Sequence, residues 1–382
     1  MDVLLLIGAF QACFFMVLVL TKKTKSIADK ILVFWLAIFT FHLAFVYYSF
    51  QSGCEFYIKY GHIPSGLLVV YYSLMYVYTK ALTSKENVFK SKWLLHIIPT
   101  VITYICIIPL AQLPYEEKVN VATHLTTNPY ANLVLGIVIL FTTIYLIAVL
   151  RLLKKHQITI RKMFSYEVNI NLNWLRILSV LLVFLWIGIS ILIINAHNYQ
   201  TTTPVILPQD SMIQDMQGTS VFVLFIFLLG FFGIRQQAIY SVPLQKTETT
   251  VKPETQSASL RYEKSGLKKE DSETYLKELL QYMEEEKPYL NEKLTLKEVA
   301  EKMNISTNHL SQVINENLEK NFFDFVNNYR VEMAKQKLSD PSNKNFTILS
   351  LAYDCGFSSK SSFNAIFKKI AGLTPSEFRN RI

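Results

Sequence analysis

A row of short hydrogen-bonding side chains lies on one predicted helix near the carboxyl end of the sequence. In the helix that follows Ser306, Leu310, Val313 and Ile314 recur at helical spacing and form an inward stripe. The outward positions are Asn308, His309, Ser311, Gln312 and Asn315. Such side chains suit hydrogen bonding to base edges and phosphates, although an ordinary solvated helix surface has the same composition.

The segments in front of this helix carry explicit start and stop signals. Thr295 and Glu298 have the spacing of a capping box, so a first helix begins there and runs to Met303. Asn304 tolerates the left-handed conformation that ends a helix, and Ser306 caps the next one. The pattern of helix, three-residue turn and helix predicts a helix-turn-helix unit.

The same pattern recurs about fifty residues later. A helix over Thr347–Asp354 is followed by a turn in which Gly356 is the stop signal, and Ser359 caps a helix over Lys360–Ile370. The inward side chains of that helix are Phe363, Ile366 and Phe367, and the outward ones are Lys360, Ser361, Asn364 and Lys368. The sequence therefore predicts two helix-turn-helix units.

A long connecting helix and a final short helix complete this region. The connecting helix is marked by Phe322, Phe325, Val326, Tyr329 and Met333. After it and the second unit, Gly372 ends a helix, and Thr374, Pro375 and Glu377 have the order of a capping box with proline in the first turn.

The segment Ile348–Arg379, which reads ILSLAYDCGFSSKSSFNAIFKKIAGLTPSEFR, closely resembles the signature of AraC/XylS-type transcription regulators. The matching residues are Ala352, Gly356, Phe357, Ser359, Phe363, Phe367, Lys368, Lys369, Gly372, Thr374 and Pro375. The resemblance extends weakly back to about Thr295 and does not include the amino-terminal half, where most members of that family carry a soluble sensor instead.

The resemblance implies that double-stranded DNA is a partner and that two recognition helices enter successive major grooves, about 34 Å apart. The base-facing candidates that it implies are Asn308, Ser311 and Gln312 in the first unit and Lys360, Ser361 and Asn364 in the second. Lys368 and Arg379 are candidates for phosphate contacts. The family often has arginine where this chain has Gln312 and Ala365, which argues against guanine readout by arginine.

The rest of the chain has the composition of a membrane protein. Of its 382 residues, 51% are apolar, and long uncharged stretches crowd the first 240 residues. Seven segments are long enough to predict spans: Val3–Leu20, Ile31–Phe50, Ile63–Leu82, Trp93–Leu113, Ala131–Leu150, Trp174–Ile194 and Thr219–Ile234. The fold class predicted for the chain is all-α, with a seven-helix transmembrane bundle (residues 1–240) before a cytoplasmic double helix-turn-helix domain (residues 271–382).

The basic residues of the connecting loops predict the orientation of these spans. Lysine and arginine concentrate in the first, third and fifth loops: Lys22, Lys23, Lys25, Lys30, Lys85, Lys90, Lys92, Arg151, Lys154, Lys155, Arg161 and Lys162. By the positive-inside rule these loops are cytoplasmic. The N-terminus is then outside and the C-terminus inside, at a bacterial inner (cytoplasmic) membrane, where a DNA-binding domain would have access to DNA.

Two further segments connect the halves. Residues 241–270 are rich in Thr, Ser, Lys and Glu and predict a flexible linker. In Asp271–Glu286, four apolar side chains form one helical stripe, Leu276, Leu279, Leu280 and Met283. That helix either packs on the carboxyl-terminal domain or pairs two copies of the chain as a homodimer, and packing is the more common fate of a short stripe.

These patterns together favour a membrane-bound regulator that senses an unknown signal ligand through its apolar helices. The main alternative is a seven-span receptor or transporter whose tail binds another protein. A third interpretation is that the apolar half is a passive anchor in the lipid bilayer. No catalytic constellation or metal-ligand spacing is present, and the four cysteines suggest none. We therefore expect neither enzymatic activity nor a cofactor.

Overall fold

A computed structural model describes residues 2–84, 88–123, 128–168, 170–202, 208–236 and 269–381. Throughout these residues the regular structure is helical, so the all-α class is confirmed for them. Backbone contacts divide the chain into two compact bodies. The N-terminal body consists of Met1–Lys154 with Leu172–Pro243, and the C-terminal body consists of Lys155–Asn171 with Leu244–Ile382. The linker predicted over residues 241–270 lies outside the described residues except for its last two positions.

The described residues of the amino-terminal part of the chain form ten α-helices. They are α1 (Asp2–Leu20), α2 (Ile27–Ser52), α3 (Cys54–Tyr60), α4 (His62–Ser65), α5 (Leu67–Thr83), α6 (Ile98–Ala111), α7 (Tyr115–Thr123), α8 (Pro129–Met163), α9 (Asn173–Thr202) and α10 (Pro208–Arg235). A 3₁₀ helix, Ser91–Ile97, leads directly into α6. The end of α8 beyond Lys154 belongs to the C-terminal body.

Five of these segments are long and apolar enough to cross a membrane. They are Asp2–Leu20, Ile27–Ser52, Ser91–Ala111, Pro129–Met163 and Gly218–Arg235. The predicted third span corresponds to α5, which has 17 residues, and the predicted sixth lies within α9, which has 30 residues. The structure therefore supports several apolar spans, and the count of seven remains a prediction.

The interior of the N-terminal body is aromatic, and its exterior is apolar as well. The rings of Phe39 and Tyr71 stack with centroids 4.1 Å apart, and His42 Nδ1 lies 2.5 Å from the Tyr71 hydroxyl oxygen. On the outside, large side chains such as Phe10 and Phe184 are about 70% exposed (71% and 68%). A surface of this kind is costly in water and suited to lipid acyl chains.

The described residues 269–381, which belong to the C-terminal body, form seven α-helices. They are α11 (Lys269–Glu285), α12 (Leu296–Lys302), α13 (Thr307–Leu318), α14 (Phe322–Ser339), α15 (Ile348–Asp354), α16 (Lys360–Ala371) and α17 (Pro375–Asn380). Helices α12 and α13 form the first predicted helix-turn-helix unit, and α15 and α16 form the second.

The long helix α14 joins two separate hydrophobic cores. Phe322, Phe325 and Val326 pack into the first core with residues of α11, α12 and α13. Phe323 and Leu338, on another face of the same helix, pack into the second core with α15 and α16. Helix α14 is the connecting helix that the sequence predicted between the two helix-turn-helix units, and it supplies side chains to both of their cores.

The predicted caps are present at the helix ends. The hydroxyls of Thr295 and Thr374 accept hydrogen bonds from the N–H groups of Glu298 and Glu377, and both glutamates complete their capping boxes. Ser306, Thr347 and Ser359 cap α13, α15 and α16 in the same way. A side-chain cap is typically worth about 1 kcal/mol, which is substantial for helices of one or two turns.

The apolar stripe on α11 packs within its own domain. Leu279 and Met283 are fully buried in the first core, and Leu280 is partly buried against it. Of the two fates predicted for Asp271–Glu286, packing is therefore the one observed. Leu276 and Leu280 are half-buried, and a homodimer through residues 271–286 stays a prediction.

The turn glycines give a first prediction. Gly356 and Gly372 both have left-handed backbones, with φ of 84° and 76°. A Cβ on Gly356 would lie 2.3 Å from the Tyr289 carbonyl oxygen, whereas one on Gly372 would meet nothing within 4 Å. Gly372→Ala should cost roughly 1–2 kcal/mol for the backbone conformation alone. Gly356→Ala should cost roughly 1–3 kcal/mol more, because Tyr289 must also move.

Urea-dependent hydrogen exchange of the α15 and α16 amides, measured on the detergent-solubilised full chain, would compare the two variants. Equal losses of protection in both would contradict the close approach of Gly356 to Tyr289.

Candidate nucleic-acid interface

Helix α13 is positioned by a fully buried stripe and by its preceding turn. Leu310, Val313 and Ile314 have no exposed surface. Asn304 has φ of 55°, the left-handed conformation predicted for the end of α12. The turn and cap fix where α13 begins, and the stripe fixes its rotation about its own axis, so its polar face is set by the fold.

The three candidates on α13 are in different environments. Asn308 is exposed, and Ser311 is half-buried, with its carbonyl oxygen accepting a hydrogen bond from Asn315 Nδ2 at 2.6 Å. Gln312 is only 8% exposed, and its Nε2 donates to Glu316 Oε1 at 3.0 Å. The outward orientation predicted for Gln312 is therefore wrong. Helical spacing assigned it to the polar face, but the side chain is buried and its amide donates within the helix.

The candidates on α16 agree with their predicted orientation. Phe363, Ile366 and Phe367 are buried in the second core. On the other side of the helix Lys360, Ser361 and Lys368 are exposed, and Asn364 is half-buried. The structure thus places these four polar side chains on one helix with its apolar face anchored, which is the geometry that a recognition helix requires.

The local charge of α16 differs from that of its domain. Residues 271–382 contain 15 Lys and Arg against 16 Asp and Glu, but α16 itself carries Lys360, Lys368 and Lys369 and no acid. Lys369 is partly neutralised, because its Nζ lies 2.9 Å from Asp324 Oδ1 on α14. Lys360 and Lys368 are therefore the exposed cations of this surface that are suited to phosphates.

The Asp324 carboxylate is held ionised by this arrangement. Burial alone would raise its pKa, but the hydrogen bond from Lys369 and the charges of Lys369 and Arg161 lower it below the ordinary value for aspartate. The carboxylate therefore remains a charged partner for Lys369 at neutral pH.

Arg379 has a different environment from the one predicted. Its guanidinium donates to three main-chain carbonyl oxygens, those of Phe346 (2.8 Å), Asn343 (2.6 Å) and Lys344 (3.2 Å). These residues form the turn between α14 and α15. The side chain braces that turn from α17, and this bracing uses its NH1 and NH2 groups within the domain.

One residue that sequence reasoning missed is Arg330, in the middle of α14. It is 2% exposed, and its guanidinium donates to the carbonyl oxygens of Tyr289 and Asn291 at 2.8 Å each and to Asn327 Oδ1 at 3.3 Å. Its Cζ atom lies 6.0 Å from the centroid of the Phe357 ring, in the turn of the second unit. A signal was present, because Arg330 lies four residues after the buried Val326 on the apolar face of α14.

Arg330 therefore lies where the first helix-turn-helix unit meets the second. Tyr289, whose carbonyl it binds, also contacts Gly356 in the turn of the second unit. Burial lowers the pKa of Arg330 to about 10, with a partial opposing effect from Glu292, so the side chain is cationic at neutral pH. No group of three or more His, Cys, Asp or Glu side chains among the described residues could hold a metal ion.

Comparison with known families supports the interpretation of this domain. Residues 299–381 match the family model described as a helix-turn-helix domain. The match includes α13, α14, α15, α16 and α17, and it covers less than half of the chain.

The relatives are regulators by name. An uncharacterized HTH-type transcriptional regulator of Staphylococcus aureus (strain COL) is 36% identical over 91 residues, which are 24% of this chain and 12% of the relative. The uncharacterized HTH-type transcriptional regulator YtdP of Bacillus subtilis (strain 168) is 28% identical over 88 residues, 23% of this chain and 11% of the relative. The chain thus spans only about an eighth of the length of the curated relatives that it matches.

A solved structure, that of a protein of unknown function from Listeria innocua, aligns with 28% of this chain and 95% of its own. Its sequence identity is 24% and its TM-score is 0.25. The match to the family model lies in the carboxyl-terminal part of the chain. That part of the chain carries an AraC-type helix-turn-helix domain.

Proposed function

We propose that this protein is a membrane-bound one-component transcription regulator, in which a double helix-turn-helix domain binds specific DNA under the control of a signal sensed by the apolar helices. The observation that carries the proposal is the presence, in one chain, of an AraC-type helix-turn-helix domain and at least five helices long and apolar enough to span a membrane. The relatives named as transcriptional regulators support the DNA-binding part.

In this proposal α13 and α16 are the recognition helices. Asn308 and Ser311 on α13, and Lys360, Ser361 and Asn364 on α16, would face the bases, and Lys368 would contact a phosphate. Two residues change their roles. Gln312 would act by holding Glu316, and Arg379 by bracing the turn after α14, because the donors of both are engaged within the domain.

The membrane part of the proposal keeps the predicted topology. Residues 1–240 would form seven spans with the N-terminus outside, residues 241–270 a cytoplasmic linker, and residues 271–382 the DNA-binding domain at the cytoplasmic membrane. The basic first, third and fifth loops motivate this orientation. The signal would be a ligand from outside the cell or from the bilayer, and the chain would have no enzymatic activity.

Crosslinking the intact protein to DNA in its native cell, followed by sequencing of the recovered DNA, tests this function. Lys360→Ala with Asn364→Ala should abolish the enriched sites, because both side chains face away from the second core. Lys297→Ala is the matched control, since Lys297 is an exposed lysine of the same domain that pairs with Glu301 on α12. Uniform recovery of DNA with the membrane-bound wild-type chain would instead favour a tail that binds protein.

The salt dependence of DNA binding separates Lys368 from Arg379. Lys368→Ala should lower the slope of log affinity against log salt by about 1, because one phosphate contact is lost. Arg379→Gln should leave that slope unchanged and lower the stability of the domain by roughly 1–3 kcal/mol, since three carbonyls lose a donor. Both quantities can be measured on the full chain in lipid nanodiscs. A slope lowered by Arg379→Gln as much as by Lys368→Ala would contradict the bracing role.

A further inference from the structure

The C-terminal body contains a segment from outside the helix-turn-helix domain. Residues 155–171, the end of α8 and the connection to α9, are grouped with the carboxyl-terminal helices. This connection is one of the basic loops predicted to be cytoplasmic. Phe164 forms an isolated antiparallel bridge with Thr295, the cap of α12. The loop thus pairs with the backbone at the start of the first helix-turn-helix unit.

Ser165 directs all its polar groups toward the domain. Its N–H and its hydroxyl both donate to the Leu294 carbonyl oxygen, at 3.1 and 2.7 Å. Its own carbonyl oxygen accepts from Asn327 Nδ2 at 3.1 Å and from Arg330 NH1 at 2.9 Å. The residue is 1% exposed. A buried residue with this many hydrogen bonds forms a specific contact, unlike a residue that only touches the surface of the domain.

Ser165 also completes the environment of Arg330. The guanidinium has five N–H groups. Tyr289, Asn291 and Asn327 accept three of them, and the carbonyl and hydroxyl oxygens of Ser165 accept the other two, at 2.9 and 3.0 Å. All five acceptors are neutral oxygens. If Ser165 left, a buried cation would lose two of its five acceptors, which is unfavourable unless the surroundings rearrange.

Contacts at the two ends of the loop hold this short segment in shape. Arg161 Nε lies 2.5 Å from Glu167 Oε1, and the Arg161 guanidinium carbon lies 5.6 Å from the centroid of the Phe323 ring on α14. At the base of the loop, His156 Nε2 is 2.8 Å from the Ile170 carbonyl oxygen. The loop therefore presents Ser165 on a closed scaffold that is continuous with α8 and leads into α9.

From this geometry we propose that the loop between α8 and α9 is the element that couples the apolar helices to DNA binding. It seats Ser165 on Arg330, at the junction that fixes how the two helix-turn-helix units are set against each other. A displacement of α8 or α9 is transmitted covalently to Ser165, changes the acceptors of Arg330, and so changes the separation of α13 and α16. The regulatory meaning rests on the proposed function, whereas the structural coupling does not.

Electron-spin distance measurements on the full chain in lipid nanodiscs test the coupling without DNA and without knowledge of the signal. Nitroxide labels are placed at Lys320→Cys and Ser376→Cys, two exposed positions flanking the first and second units. The native cysteines Cys13, Cys54 and Cys106, which are half-buried, are replaced by alanine, and the buried Cys355 is retained. The unmodified loop should give one narrow distance distribution.

Ser165→Ala should broaden or shift that distribution, because Arg330 loses one acceptor and Leu294 one donor. Thr159→Ala is the matched control from the same segment, since the Thr159 hydroxyl bonds only to Lys155 within α8, and it should leave the distribution unchanged. If Ser165→Ala unfolds the domain, Glu167→Gln decides. It weakens the contact with Arg161 and leaves the acceptors of Arg330 in place, and it should give a smaller change. Superimposable distributions for the folded Ser165→Ala chain and the parent, or for Glu167→Gln in the case of unfolding, would overturn the coupling.

A second readout separates this inference from the proposed function. On DNA recovered with the wild-type chain, Ser165→Ala should change the affinity by roughly fivefold or more and leave the salt slope unchanged, because the lysines of α16 are untouched. An altered distance distribution with unchanged affinity would overturn the regulatory role of the loop. If the wild-type chain binds no DNA, the proposed function fails, while the distance measurement still decides whether the loop sets the two units.

Discussion

The carboxyl-terminal half of this protein depends on one buried cation. The Arg330 guanidinium is enclosed at the junction of two helix-turn-helix units, and no carboxylate is among its five hydrogen-bond acceptors. Burial of a charge is tolerated only when its donors are satisfied. The three segments that supply those oxygens, around residues 165, 290 and 327, are therefore constrained together. Arg330 thereby connects the first helix-turn-helix unit and helix α14 to the loop that contains Ser165. Ser165 lies 129 residues before Leu294, with which it forms a hydrogen bond.

The distribution of charge is compatible with the proposed binding of DNA by a domain that has slightly more acidic than basic residues. The lysines of α16 lie on the side of the helix that faces away from the second core, and no acidic residue lies among them. Asp324 reduces the effective charge at one end by pairing with Lys369. Binding that relies on a few local lysines and on short polar side chains has a modest electrostatic component, so hydrogen bonding to bases must supply much of its selectivity.

Local signals predicted the carboxyl-terminal domain well. Caps such as Thr295 and Ser359 and the left-handed positions Asn304 and Gly356 depend on a few neighbouring residues, so the pattern alone locates each helix. The environments of Arg379 and Ser165 depend on contacts with residues distant in sequence, which helical periodicity does not contain. For α5 the apolar pattern predicted a span over Ile63–Leu82, whereas the helix observed is Leu67–Thr83, because hydropathy does not determine where a helix begins or ends.

The central claim is that one chain occupies a bilayer and binds selected DNA at the same time. Flotation of proteoliposomes on a density gradient tests it directly, with the carboxyl-terminal domain on the outer surface and a pool of labelled genomic fragments present. A small set of fragments should float with the vesicles, and Lys360→Ala with Asn364→Ala should leave those fragments at the bottom while the protein still floats. A chain that does not float, or vesicles that carry the protein but retain no fragment above the background of empty vesicles, would contradict it.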